Sequence, residues 1–374
     1  MKEKNDRPRI AMLGQKRTFS RDGGVEIAVT ELASRMAEKG YDVTCFDRGG
    51  RRSPSAERAK PACGGVKVRR VPTLDIGGLA AVTSSIMGAL CAAFGRYDIV
   101  HFHAEGPSAV CWLPKMFGAR VICTVHGLDW QREKWNRFAS AYILGGEKSS
   151  VKHADEIIVL NESTQRYFQR EYGRKTVVIP NGTDRPEKHP AELIRQLWGL
   201  EAEGYVLFVG RLVPEKGLRT LLKAWNGIKT DKKLVIAGGS AASEGFLREL
   251  KEFSGENVIF TGFVMGQALQ ELYSNAYLYV LPSDLEGMPL SLLEAMSYGC
   301  CCLVSDIPGC VETVYDKAVR FEHGSAEALR EALLKLLSDR DTVERYRSGA
   351  ADFISEKYNW DNTVKMTLEA YFGK

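Results

Sequence analysis

The chain holds no C-x-x-C pair, no G-x-S-x-G elbow, no G-x-x-x-x-G-K-[ST] phosphate loop and no tract of interleaved basic and aromatic residues. These absences remove a zinc or dithiol framework, a serine-hydrolase site, a P-loop NTPase site and a single-stranded nucleic-acid platform. An excess of one charge is missing too. Lys and Arg number 51 and Asp and Glu 47, so the net charge is 51 − 47 = +4. That is too mild for nucleic acid, although it permits weak attraction to anionic lipid. Nine cysteines is an odd number, and three of them, Cys300, Cys301 and Cys302, are consecutive in a strand-like run. Neighbours in a strand point to opposite faces and pair poorly, so buried thiols in a reducing compartment are expected. The polar, charged N-terminus runs straight into the strand-like Arg9-Ile-Ala-Met-Leu-Gly14, and no signal peptide is expected. The uncharged stretch Ile76 to Gly95 has the length of a membrane span. Its Gly, Ser and Thr residues, and its place between two strand-like runs, favour a buried or interfacial helix.

What is present is an alternation of strand and helix patterns. With 374 residues the chain favours two domains. Strand-like runs are Ile10–Leu13, Val43–Phe46, Val66–Val71, Ile99–His103, Val121–Val125, Glu156–Leu160 and Val177–Pro180. After a polar, proline-bearing stretch a second series follows: Tyr205–Val209, Lys233–Ala237, Asn257–Phe260, Tyr277–Leu281 and Cys300–Ser305. Alternating βα units imply parallel sheets with helices on both faces. The expected fold is α/β, with two Rossmann-like doubly wound domains facing a central cleft. The first covers residues 1–183 and the second 184–357. The tail 358–374 reads as an amphipathic helix with Asp361 or Asn362 as its cap.

Chemistry concentrates after two strands of the second series. Val209-Gly210-Arg211-Leu-Val-Pro-Glu-Lys216-Gly217 ends a strand and enters a helix with two cations in the loop. Positive side chains at a helix start oppose its dipole, so a diphosphate ligand explains them better than solvation does. Ser283-Asp-Leu-Glu286-Gly287-Met288-Pro289-Leu290-Ser-Leu-Leu-Glu294 ends another strand and starts another helix. Glu286 and Glu294 suit either an acid/base couple or carboxylates that accept from sugar hydroxyls. In the first half, Gly23-Gly24 opens a helix without forming a dinucleotide fingerprint, and His126 stands at a strand end. His101 and His103 share one face of their strand, but no third ligand has metal-site spacing. No Asp-x-Asp stands at a strand end, so cations and a helix dipole, rather than Mg²⁺, are expected to neutralise a leaving group.

The order Gly210-Arg-Leu-Val-Pro-Glu-Lys216-Gly217, then Glu286-x₇-Glu294 with Gly287-Met-Pro-Leu between, resembles the retaining GT-B glycosyltransferases of family 4. The likeness runs from Gly23-Gly24-Val-Glu to Tyr358-Asn-Trp-Asp. The stretch His126-Gly-Leu-Asp-Trp-Gln-Arg-Glu-Lys-Trp135 is similar to a bacterial exopolysaccharide and O-antigen subgroup that includes rhamnosyltransferase-like members. The resemblance implies a cytoplasmic enzyme with a nucleotide-sugar donor and no metal or other cofactor. Its acceptor would be a saccharide or lipid-linked saccharide, used in cell-surface polysaccharide synthesis. Peripheral contact with the inner membrane face is compatible with this. Arg211 and Lys216 would hold the donor diphosphate, Glu294 the ribose, and Glu286 the transferred sugar. Gly210 and the backbone from Gly287 through Met288 and Pro289 to Leu290 would line the donor. Gly23 and Gly24 would admit the diphosphate to the first helix, His126 would face the sugar, and the tail helix would cross back to the first domain. A nucleotide-sugar 2-epimerase of the same fold and a non-catalytic nucleotide-sugar sensor are the alternatives.

Overall fold

The first strands are apolar on both faces because both faces are covered. A computed structural model describes residues 7–49, 63–74, 79–131, 137–239 and 244–373. The chain divides into two compact units, Met1–Asn181 with Trp360–Lys374, and Gly182–Asn359. Strands β1 (Arg9–Leu13), β2 (Asp42–Gly49), β3 (Lys67–Pro72), β4 (Ile99–His103), β5 (Arg120–Val125), β6 (Glu156–Val159) and β7 (Val177–Val178) form the first unit's sheet. Their order is β3-β2-β1-β4-β5-β6-β7, and every pairing is parallel. Alternation along each strand sends side chains into two separate cores. Ala11, Leu13, Val100, Phe102, Val121 and Cys123 fill one, while Ile10, Met12, Ile99 and Ile122 fill the other.

The uncharged stretch becomes the helix Leu79–Phe94, which lies on the first of these cores. Its Gly88 permits close approach, since a Cβ there would stand 2.6 Å from Leu13 Cδ2. Among the described residues no helix is long and apolar enough to cross a membrane; residues 76–78 of the stretch lie outside the described set. The tail helix, Trp360–Phe372, begins before both expected caps, one residue ahead of Asp361 and two ahead of Asn362. Asp361 instead sits in its first turn, paired with Arg35 at 3.3 Å. Val364 and Tyr371 of this helix complete the second core of the first unit.

In the second unit β8 (Tyr205–Val209), β9 (Lys233–Ala237), β10 (Val258–Gly262), β11 (Leu278–Leu281), β12 (Cys302–Ser305) and β13 (Val319–Phe321) run in the order β10-β9-β8-β11-β12-β13. All of these pairings are parallel too. The bounds of β4, β8 and β9 coincide with the sequence expectation. The strand expected from Cys300 starts at Cys302, and β13 was not anticipated. Cys300, Cys301 and Cys302 are buried free thiols, and burial pushes the first two up to about 12.

Both sheets reverse their winding once, between β1 and β4 and between β8 and β11. Loops leaving the carboxyl ends of adjacent strands part at such a point and leave a crevice.

Candidate active site

The crevice of the second unit is built by the loops after β8 and β11. Gly210 continues the ladder by donating its N–H to Ala237 O at 3.0 Å. The turn Pro214–Lys216 ends at Gly217, whose φ of +66° is left-handed. A Cβ on Gly217 would overlap the Pro282 carbonyl oxygen, so only glycine lets the two loops touch. The Asp284 N–H donates to Glu215 O at 2.9 Å and stitches the loops together. Across this seam the Lys216 ammonium pairs with Glu286 Oε1, with the two side chains 12% and 10% exposed. Ser283 Oγ donates to the same oxygen at 2.7 Å, and its own carbonyl accepts from Ser305 Oγ at 2.6 Å. Burying an ion pair costs desolvation that only good geometry and further hydrogen bonds offset, and here the serine supplies one. The half-buried Arg211 guanidinium has no hydrogen-bond or ion-pair partner among the described residues.

The helix Leu290–Ser297 starts after Pro289, beside that cluster. Gly287, Met288, Pro289 and Leu290 are buried. A Cβ on Gly309 would overlap the Glu286 carbonyl oxygen, so the start of the helix Pro308–Val314 covers one side of this turn. Half-buried Glu294, in the second turn, accepts from Tyr273 Oη at 3.0 Å. The Tyr273 ring stacks on Tyr298 with centroids 5.4 Å apart.

The crevice of the first unit gathers three histidines. His101 and His103 end β4, and His126 follows β5. His101 is bonded at both ring nitrogens, Nδ1 to Tyr371 Oη at 2.7 Å and Nε2 to Thr124 Oγ1 at 2.6 Å. His103 Nδ1 meets His126 Nε2 at 3.1 Å. His103 Nε2 is buried with no partner among the described residues. Burial holds His101 down at about 3 and His126 at about 4, so both rings are neutral at physiological pH. The backbone of Gly14, at φ +121°, packs so closely on His103 that a Cβ would overlap its carbonyl oxygen. At the start of the helix Gly24–Glu38, capped by Gly23, Glu26 Oε1 accepts from the Lys16 N–H at 3.0 Å. This carboxylate already serves the positive end of that helix.

Comparison with known proteins then decides the family. Residues 22–186 match the family model described as Glycosyltransferase Family 4, and residues 171–353 match that of Glycosyl transferases group 1. An uncharacterized glycosyltransferase of Methanocaldococcus jannaschii is 34% identical over 309 residues, 74% of this chain and 75% of that protein. The chain belongs to the group 1, family 4 glycosyltransferases. Sucrose-phosphate synthase from Thermosynechococcus elongatus superposes with a TM-score of 0.83 at 25% identity, covering 98% of this chain and 99% of that one. Anabaena HepE in complex with UDP-glucose gives 0.81 at 17% identity, covering 98% and 99%. The two parallel α/β sheets are thus the GT-B fold, and the enzyme transfers glycosyl groups.

For this glycosyltransferase, sequence reasoning singled out residues that the structure brings to two places. Arg211, Lys216, Glu286, Glu294 and the turn Gly287–Leu290 gather at the β8/β11 crevice. His126, Gly23 and Gly24 stand at loops leaving the first sheet. Sequence reasoning assigned Lys216 to the diphosphate and Glu286 to the sugar without foreseeing that they touch. It also missed Ser283, whose only signal was its place at the strand end, and the carboxyl pair Glu105 and Glu147. The latter lies beneath the loop that carries His126 and is buried at 1% and 0% exposure. Residues 132–136 of the His126–Trp135 motif lie outside the described set.

Proposed function

We propose that the enzyme moves a sugar from a nucleotide-diphosphate donor to a saccharide or lipid-linked saccharide with retention of anomeric configuration. Its place would be cell-surface polysaccharide synthesis, on the cytoplasmic side and in peripheral contact with the membrane. The observation that carries this is the Lys216–Glu286–Ser283 cluster at the β8/β11 crevice, in whose loops the Arg211 guanidinium has no hydrogen-bond or ion-pair partner among the described residues. A fork-shaped cation held without a carboxylate suits a diphosphate. The fold neighbour solved with UDP-glucose supports a nucleotide-sugar donor. The His126–Trp135 stretch supports the exopolysaccharide and O-antigen subgroup, with rhamnosyltransferase-like members.

As the sugar–phosphate bond lengthens, negative charge grows on the diphosphate, and Arg211 and Lys216 stabilise it as fixed positive charge. With these cations in place no metal is required. Glu286, held by Lys216 and Ser283, accepts from the sugar's hydroxyls, and Glu294 accepts from the ribose diol. Gly210 and the backbone from Gly287 to Leu290 line the donor, Gly23 and Gly24 leave room beside the first helix, and His126 meets the sugar. The acceptor attacks the face that the leaving group vacates, and a departing phosphate oxygen takes its proton.

The test is a thermal-shift screen of UDP-, GDP-, dTDP- and ADP-sugars, followed by NMR of the product anomer in the presence of EDTA. Expected are a stabilising donor, a retained anomer, EDTA-independent turnover and a drop in kcat for Arg211→Ala of about 100-fold or more. A covalent adduct on Glu286 would replace this mechanism by double displacement. Free epimer formed from donor alone would make the enzyme an epimerase, and tight binding with no turnover of any donor would make it a sensor.

A further inference from the structure

Beneath the loop after β5 lies a cluster that the mechanism above does not use. Glu105 Oε2 accepts the Asp129 N–H at 2.8 Å, and Glu147 Oε2 accepts the Trp130 indole N–H at 3.2 Å. Glu147 Oε1 also accepts from Tyr167 Oη at 2.9 Å and from Tyr172 Oη. The loop that begins at His126 is therefore tied from below by two carboxyl groups.

These carboxyl groups cannot both be ionised. They are buried at 1% and 0% exposure, each holds the same loop, and among the described residues no basic side chain is bonded to either, so desolvation and mutual repulsion favour one shared proton. Glu147 takes three donors, and a carboxylate has about four acceptor positions, so its fourth suits a proton from Glu105. Glu105 Oε1 meets no hydrogen-bond donor among the described residues, as expected of an oxygen that itself carries the proton. Burial, the bond to Glu147 and the charge of Asp129 push Glu105 up to about 11.

The backbone has been shaped for this contact. Ala104, just before Glu105, has φ +75° and ψ 158°, a region that non-glycine residues avoid. Its N–H donates to Thr124 O and its carbonyl accepts from Ser108 Oγ, both at 2.9 Å, so the strained turn is held at both ends. A Cβ on Gly146 would overlap the Glu105 carbonyl oxygen. Glycine there lets the helix Arg137–His153 approach closely enough to set Glu147 against Glu105.

We propose that Glu105, neutral, and Glu147, ionised, form a buried acid–carboxylate clamp that positions the turn from His126 to Trp130 for glycosyl transfer. Both are positioning residues that act through His126, so the inference rests on the role given to His126 above. A misplacement of about 1 Å in a reacting group lowers rate by about 100-fold, which sets the size of the effect.

The test compares Glu105→Leu, Glu105→Gln, Glu147→Gln and His126→Ala in the full chain. Steady-state kinetics are read together with the Trp130 indole N–H resonance, assigned through Trp130→Phe. Glu105→Leu and Glu147→Gln are expected to lower kcat by about 10- to 100-fold while KM for the donor changes little. Glu105→Gln offers an N–H to Glu147 and a carbonyl to Asp129, and is expected to rescue kcat to within about threefold of the parent. Glu147→Gln should shift the indole resonance by removing its charged acceptor. Equal damage from Glu105→Gln and Glu105→Leu overturns the neutral acid. A fully active Glu105→Leu beside an inactive His126→Ala overturns the clamp alone. Full turnover by His126→Ala overturns the role of His126 and the catalytic use of the clamp with it. Should Glu105→Leu fail to fold, Trp130→Phe removes one clamp bond from outside the pair, and unchanged kcat there overturns the proposal.

Discussion

Gly217 shows how one backbone position sets a site. It joins two loops from strands that are distant in the chain, and both its dihedral angle and its missing side chain are needed. Gly173, at φ +62°, has open space where a Cβ would stand. The pair therefore separates strain from overlap. Gly173→Ala should destabilise by about 1 kcal/mol, the cost of left-handed backbone alone. Gly217→Ala should cost about 2–4 kcal/mol and should also weaken donor binding, because the Lys216–Glu286 seam opens. Urea midpoints measured at constant m decide this, and equal losses for the two variants would show that Gly217 bears no steric load. Arg211 and Lys216 were legible in the sequence as cations that contradict a helix dipole. Their different fates were not legible, because pairing with Glu286 depends on two strands meeting in space.

At the scale of elements, the ends of two helices in the first unit leave an apolar surface. Phe94 closes the helix Leu79–Phe94, and Phe117 follows the helix Trp112–Met116; their rings meet edge-on at 5.1 Å. Phe94 is 69% and Met116 72% exposed. Trp112, Met116, Lys115, Lys152 and His153 line a shallow cavity of about 360 Å³ alongside. Exposed apolar groups with basic neighbours suit an anionic lipid surface. Sedimentation with phosphatidylglycerol vesicles should show binding that falls at least tenfold in the double variant Phe94→Ser, Met116→Ser, because each buried side chain contributes about 1.5–3 kcal/mol. Unchanged sedimentation of that variant would remove the membrane from the proposed function. The uncharged run from Ile76 signalled a buried or interfacial helix from its composition. The exposed edge was not legible, because it forms only where that helix's end meets a second short helix.

For the whole molecule, the first unit's stability should peak near pH 6.5. His101, His103 and His126 are all held below their ordinary value, chiefly by burial. The unfolded chain takes up protons at these residues as pH falls below about 6.5 while the fold does not, so stability is lost toward pH 4. Glu105 is raised to about 11, so the fold keeps a proton that the unfolded chain releases above about pH 4.5. Its contribution is full at low pH and is lost as pH rises, by about 1.4 kcal/mol per pH unit. Between pH 4.5 and 6.5 three histidines outweigh Glu105, and above 6.5 Glu105 is the one of these four groups that still acts; buried Asp47, also raised, adds to the loss with rising pH. Chemical denaturation followed by exchange of β4 and β5 amides should show the maximum, and Glu105→Gln should flatten its alkaline side between pH 6.5 and 8. A parent protein of constant stability over that range would exclude the neutral buried acid.

The amino-acid order alone sets the α/β alternation, the limits of strands such as β4 and β8, and the residues that follow them. Apolar periodicity, glycine turns and helix starts act over a few residues, and so they can be read locally. The order of strands in each sheet was decided only by tertiary packing. That order places β8 beside β11 and β5 between β4 and β6, and with them Lys216 against Glu286 and the helix of Glu147 against Glu105. Burial and hydrogen bonding between segments far apart in the chain select those neighbours, and no local pattern carries that information.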